Sequence, residues 1–92
     1  MNVPLQDKLA IVTGSSRGIG RAIALALAEA GAHVVVNHSA TPAEAEETAA
    51  AVRGWGRRAL VVQADVSVRS DVRRLVDQAL RVFGRIDILV NN

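Results

Sequence analysis

Eight residues between an apolar run and an alanine-rich segment limit what this chain can become. Thr13-Gly14-Ser15-Ser16-Arg17-Gly18-Ile19-Gly20 follows Leu9 to Val12, which reads as a buried strand, and opens Ile19 to Ala30, which reads as a helix. A glycine-rich turn from a strand into a helix N-terminus is an anion site, because backbone N–H groups point outward and the helix dipole adds about half a positive charge. The three glycines divide the work: one permits the tight turn, one lets a phosphate approach the backbone, one lets helix and strand pack closely. The spacing excludes two common loops. A Walker loop ends in Gly-Lys-Ser/Thr, and here Gly20 is followed by Arg21 and Ala22. G-x-G-x-x-G is absent too, since the glycines run Gly14-x-x-x-Gly18-x-Gly20.

The remainder of the chain supplies what such a loop needs. Its 92 residues make one domain at most, and an apolar half of the composition makes it globular. No apolar run approaches the ~20 residues that cross a bilayer, and no basic-then-apolar leader opens the chain. Cysteine is absent, which excludes disulfides and thiolate metal sites and fits a cytoplasmic protein. Two histidines, His33 and His38, are too few and too badly placed for a metal cluster. Net charge is +2, and ten of the eleven cations are arginines scattered over predicted helix faces. A solvated surface explains them better than a nucleic-acid patch, because no aromatic platform for bases accompanies them.

In order, Met1 to Asp7 reads as a loose lead-in and Leu9 to Thr13 as strand one. The first helix carries Ile19, Ala22, Ile23, Ala26, Leu27 and Ala30 on one face, and Gly31 follows where a left-handed residue is usual. Ala32 to Val36 is a continuous β-branched strand of the kind buried on both faces. Thr41-Pro42-Ala43-Glu44 starts a second helix, with Thr41 capping, Pro42 in the first turn and Glu44 completing a capping box. That helix runs to Arg53 and stops at Gly54. Trp55 sits in a loop, half-exposed. Ala59 to Gln63 is strand three. Ser67 caps a third helix faced by Val68, Val72, Leu75, Val76, Ala79 and Phe83, and Gly84 ends it. Ile86 to Asn91 is strand four. The β-α-β-α-β-α-β order predicts a doubly wound α/β fold, a partial Rossmann sheet with parallel strands in the order 3-2-1-4. The first two helices then lie on one face and the third on the other. The cleft between the ends of strands one and four is the switch point where ligands bind.

T-G-x-x-x-G-x-G resembles the cofactor loop of the short-chain dehydrogenase/reductase family, most closely its 3-oxoacyl-carrier-protein reductase-like and polyketide ketoreductase-like members. Asp65-Val66 after strand three resembles the family's adenine-recognition pair, and Asn91-Asn92 the start of its N-N-A-G segment. The resemblance implies that Gly14, Ser15, Ser16, Arg17, Gly18, Ile19 and Gly20 hold a nicotinamide dinucleotide, with Asp65, Val66 and Asn91 completing its cleft. The alternative is that Asp65 helps cap the third helix. The end of strand two decides which dinucleotide fits, because an acid there would chelate the ribose hydroxyls and repel a 2′-phosphate. None is present in Val36-Asn37-His38-Ser39. Arg17 reaches the same spot, and a guanidinium suits a phosphate. The expectation is NADP(H) rather than NAD, with Arg17 as the charged contact and Asn37, His38 and Ser39 as hydrogen-bonding neighbours. His33 is a core-edge residue without a role, and Glu44, Glu46 and Glu47 form an exposed acidic helix face.

Family members act on carbonyls and alcohols with a Ser, a Tyr-x-x-x-Lys pair and an Asn. This sequence has no tyrosine, and Lys8, its only lysine, precedes strand one. No catalytic role is assigned to any residue. The resemblance therefore covers the cofactor-binding half alone. The expectation is a truncated half-domain over 1–92, inactive by itself, from an oxidoreductase that takes a small carbonyl or alcohol substrate. A single helix covers the second sheet face, so the chain is expected to be a fragment or to associate, with itself or with the missing half. A non-catalytic dinucleotide-binding or subunit-interaction module is the alternative. A basic domain binding nucleic acid is a third reading, with no membrane partner in any of them.

Overall fold

The computed structural model describes residues 3–92. Seven elements follow one another: β1 (Leu9–Val12), α1 (Gly18–Glu29), β2 (His33–His38), α2 (Pro42–Gly54), β3 (Ala59–Gln63), α3 (Arg69–Phe83) and β4 (Ile88–Val90). The strands form one parallel sheet in the order β3-β2-β1-β4, so the expected doubly wound order is the observed one. Val12 stands opposite Val36 on one side and Val90 on the other, which brings the ends of three strands level at one edge.

Side chains alternate along each strand, so each sheet face builds its own core. Val12, Val34 and Val36 meet Ala24 and Ala28 of α1 and Ala45, Ala49 and Val52 of α2. Leu9, Ile11, Val35 and Val62 meet Leu75 and Ala79 of α3 on the opposite face. Two helices therefore lie on one face and one on the other, as the reversal of strand order requires. At the sheet's edge, Leu89 of β4 is 59% exposed. No helix among the described residues is long and apolar enough to cross a membrane.

Several boundaries differ from the sequence-based expectation, each for a local reason. The fully buried stripe of α1 is Gly20, Ala24 and Ala28; of the expected face, Ile23 and Leu27 pack partly against the core while Ile19 is 74% exposed. At Gly20 the helix backbone presses on the Gly14 carbonyl, and that approach turns Ala24 and Ala28 toward the sheet. β2 continues to His38 because Asn37 and His38 pair with Val62 and Gln63 of β3. β4 is shorter than expected because residues 85–87 form a clip instead. There the Asp87 carboxylate accepts the Leu9 N–H at 2.8 Å and binds Arg85 at 2.7 Å. Ser67 does not cap α3. Val68 holds that position, and the Ser67 hydroxyl donates to Asp65 at 2.6 Å.

The lead-in is not loose over its described part. The Leu5 N–H donates to the Ala30 carbonyl and the Asp7 N–H to the Gly31 carbonyl, at 2.9 and 3.0 Å. These bonds satisfy carbonyls left free where α1 ends. Met1 and Asn2 lie outside the described residues. Gly31 is held at φ +107°, and a Cβ there would overlap Val3 and press on the Gln6 backbone. Gly31→Ala is expected to cost about 1–3 kcal/mol from strain and overpacking. Gly54→Ala, in an open helical position, should stabilise by roughly 0.5–1 kcal/mol. Urea unfolding midpoints check both signs.

His33, at the opposite end of the sheet from the loop, is partly buried and wired into its surroundings. Its Nδ1 accepts the Arg58 N–H at 2.8 Å, and its ring stacks on Phe83 with centroids 6.0 Å apart. Burial, then the Arg57 charge, push its pKa below the ordinary histidine value, outweighing Asp7. The unfolded chain therefore binds this proton more readily than the folded one. Folding stability should fall as pH drops below about 6.5, the ordinary value, until the lowered folded-state midpoint is passed. Imidazole NMR titration together with urea midpoints from pH 7.5 to 5 tests this, and a His33 midpoint above the ordinary value would refute it.

Candidate functional site: the loop between β1 and α1

The loop turns twice through left-handed backbone, at Gly14 (φ +58°) and Gly18 (φ +62°). The glycines are not equivalent. A Cβ on Gly20 would overlap the Gly14 carbonyl oxygen, so Gly20 lets α1 close on the loop. Gly18 has no atom near the position of a Cβ, so its left-handed backbone lies open.

The rear of the loop is tied to β2. Ser15 is fully buried; its N–H donates to the Asn37 carbonyl at 2.9 Å, and its hydroxyl donates to the Val12 carbonyl at 2.7 Å while accepting the Asn37 N–H at 3.0 Å. The Asn37 side chain turns inward. Its Oδ1 accepts the Gly14 N–H at 3.0 Å and its Nδ2 donates to the carbonyls of Val62 and Ala64, each at 3.2 Å. One buried amide thus joins the loop, β2 and the end of β3. Asn37 is consequently a brace, not the outward hydrogen-bonding neighbour read from the sequence: every strong donor and acceptor it has is already engaged.

Helix α2 holds the loop from a second side. The Thr41 hydroxyl donates to Ser16 Oγ at 2.8 Å, and the Thr48 hydroxyl donates to the Ser16 carbonyl at 2.8 Å. Thr41 therefore makes no side-chain cap, and its N–H donates to His38 Nδ1 at 3.2 Å. The expected capping box does not form, and Glu44 lies 3.7 Å from the Arg17 guanidinium instead. From the β4 side, the Asn92 amide donates to the Gly14 carbonyl at 3.0 Å, and its backbone N–H donates to Thr13 Oγ1 at 3.0 Å. No buried side-chain nitrogen or oxygen among the described residues lacks a partner.

What remains free is gathered at the start of α1. The N–H groups of Gly18, Ile19 and Gly20 have no acceptor among the described residues, and no carboxylate sits in the first turn of α1. Arg17 stands beside them, 73% exposed. Ser39 is exposed, with its carbonyl accepting Gln63 Nε2 at 3.0 Å, while His38 is buried. On the far side of the loop lies a cavity of about 280 Å³, mostly apolar, lined among others by Ile11, Thr13, Val66, Leu75, Leu89 and Asn91. Asp65 is exposed near it, and hydrogen bonds from the Ser67 hydroxyl and N–H hold its carboxyl below the ordinary range. The Asp65 side chain thus bonds Ser67, two residues before α3 begins, and no N–H of the helix, so the capping alternative does not form. No group of histidines and carboxylates able to hold a metal ion occurs among the described residues.

From the sequence, Thr13 and Asn92 stand within motifs without a role of their own, and Thr48 is passed over. Thr48 had a signal: it lies seven residues after Thr41, on the same helix face. Asn92 had one too, since neighbours at a strand end point to opposite sides, and only Asn91 was assigned.

A family model described as short chain dehydrogenase matches residues 8–92. The chain is 52% identical over 99 aligned residues to NADPH-dependent aldehyde reductase 2, chloroplastic, of Arabidopsis thaliana, with 96% of this chain and 36% of that protein covered. It is 45% identical to the short-chain dehydrogenase/reductase homolog YusS of Bacillus subtilis, covering 94% of this chain and 79% of that one. A short chain dehydrogenase of Burkholderia cenocepacia J2315 in complex with NADP superposes with a TM-score of 0.93 at 46% identity, covering 97% of this chain and 36% of that one. The chain spans about a third of the length of the first curated relatives it matches.

Asn37→Asp would set a carboxylate against the carbonyls of Val62 and Ala64. It should lower stability by about 3 kcal/mol at neutral pH, the cost of a buried unpaired charge, and recover part of that on acidification, when the acid can donate. Ser39→Asp, at an exposed position, should change the urea midpoint little.

Proposed function

The chain belongs to the short-chain dehydrogenase family, and from that membership we propose that it binds NADP(H) and forms the cofactor-binding part of an oxidoreductase interconverting carbonyls and alcohols. One observation carries this: three unpaired N–H groups at a helix start, around an open left-handed glycine, with a guanidinium beside them. A dinucleotide needs that arrangement for its diphosphate. Gly14 and Gly20 shape the loop, Ser15 and Ser16 fix it from behind, and Gly18, Ile19 and Gly20 present the N–H groups. Arg17 would take the 2′-phosphate as a planar, multiply donating cation, with Ser39 at the same end of β2. Asp65 keeps acceptor capacity for an adenine amino group, and Val66 and Asn91 line the apolar cavity beside the loop. The cofactor, when bound, supplies the hydride. The residues named here bind and orient it.

The relatives support the choice of phosphate: one is named as NADPH-dependent, and one solved structure contains NADP. Carbonyl reduction also needs a proton donor, and the 92 residues contain no tyrosine and a single lysine, Lys8. For the chain by itself we therefore propose cofactor binding without turnover.

Calorimetric titration at low salt should show NADPH binding about tenfold or more tightly than NADH. Arg17→Gln should bring the two within about threefold, because a charged hydrogen bond contributes roughly 1.5–3 kcal/mol. Tighter binding of NADH to the unaltered protein would overturn the proposal.

A further inference from the structure

The strongest feature left unused is the carboxylate of Glu44. Glu44 sits in the first turn of α2, where its role would be to close a capping box by accepting the Thr41 N–H. That N–H is already taken by His38 Nδ1 at 3.2 Å, and the Thr41 hydroxyl is taken by Ser16 at 2.8 Å. The same two bonds fix the start of α2 against the loop. Glu44 is thereby left without a local partner and held 3.7 Å from Arg17 Nη1.

We propose that Glu44 is a specificity-determining residue that weakens the preference for a 2′-phosphorylated dinucleotide by competing for Arg17. The inference rests on the cofactor reading above. A phosphate arriving at Arg17 meets a guanidinium already paired and a negative charge a few ångströms behind it. Two costs follow: the ion pair must be loosened, and the phosphate stays close to the carboxylate. The opposite effect, in which Glu44 helps by holding Arg17 in place, is the smaller one, since Arg17 is 73% exposed and an ion pair with so exposed a partner restrains little. A ligand without the 2′-phosphate meets neither cost. Glu44 therefore acts on the ratio of the two affinities and not on dinucleotide binding as such.

The test is calorimetry of Glu44→Gln with NADPH and NADH at low and at high salt. Glu46→Gln serves as a control that removes the same charge from an exposed position two residues along the helix. Glu44→Gln should bind NADPH about three- to tenfold more tightly at low salt, the size of one carboxylate–phosphate repulsion several ångströms apart near a surface. NADH affinity should stay within twofold. The gain should shrink at 0.5 M salt, where screening reaches only a few ångströms. Glu46→Gln should show a clearly smaller gain. Unchanged or weaker NADPH binding, an equal gain for NADH, or an equal gain in Glu46→Gln would each overturn the proposal. Failure of the unaltered protein to bind either dinucleotide would instead sink the cofactor reading on which it rests.

Discussion

The structure turns on a contact between two pieces of backbone. The first turn of α1 lies against the Gly14 carbonyl so closely that no side chain fits at Gly20. That approach fixes where the helix begins, and it selects the Gly20-Ala24-Ala28 stripe as the face toward the sheet. Larger residues would hold the helix away and spread the loop. With the helix close, the same packing that closes the core leaves the unpaired N–H groups and positive dipole end of α1 at its rim.

Around that contact, the loop is immobilised by groups that never face a ligand. Ser15 and Asn37 tie it to β2, Thr41 and Thr48 to α2, Asn92 to the end of β4. Each bond occupies a polar group that would otherwise compete with a phosphate or lie buried and unpaired. The loop's rear is saturated, and the groups left at the front are the open backbone at Gly18, the Arg17 guanidinium and the Glu44 carboxylate that faces it.

Strand order, the side of the sheet that each helix covers and the glycine turn after β1 were legible in the sequence because each rests on a strong local pattern. Continuous β-branched runs mark strands buried on both sides, and glycines mark a turn that only glycine can make. The side chains at the rim were less legible because their partners are distant in sequence. Asn37 looked outward from its place at a strand end, yet Ala64, 27 residues on, claims its amide. Thr41 and Glu44 looked like a local capping box, yet Ser16 and Arg17, some 25 residues earlier, claim both. Capping rules describe a helix end surrounded by water. Here the end is pressed against another backbone, and tertiary partners win. The same reason explains why Ile19, apolar and in register with the helix pattern, stays outside: its position is the lip of the loop, not the sheet.

The two faces of the sheet are unequally sealed. Two helices cover one, and seven of their residues are buried there. On the other, α3 buries only Leu75 and Ala79 and borders an open cavity. Transient opening follows the weaker seam. The chain can release α3 while β1, α1, β2 and α2 stay assembled, and with them most of the bonds that shape the loop. Backbone amides of α3 will trade hydrogen for deuterium long before those of β2, and the turn between β1 and α1 will outlast the half of the molecule beside it.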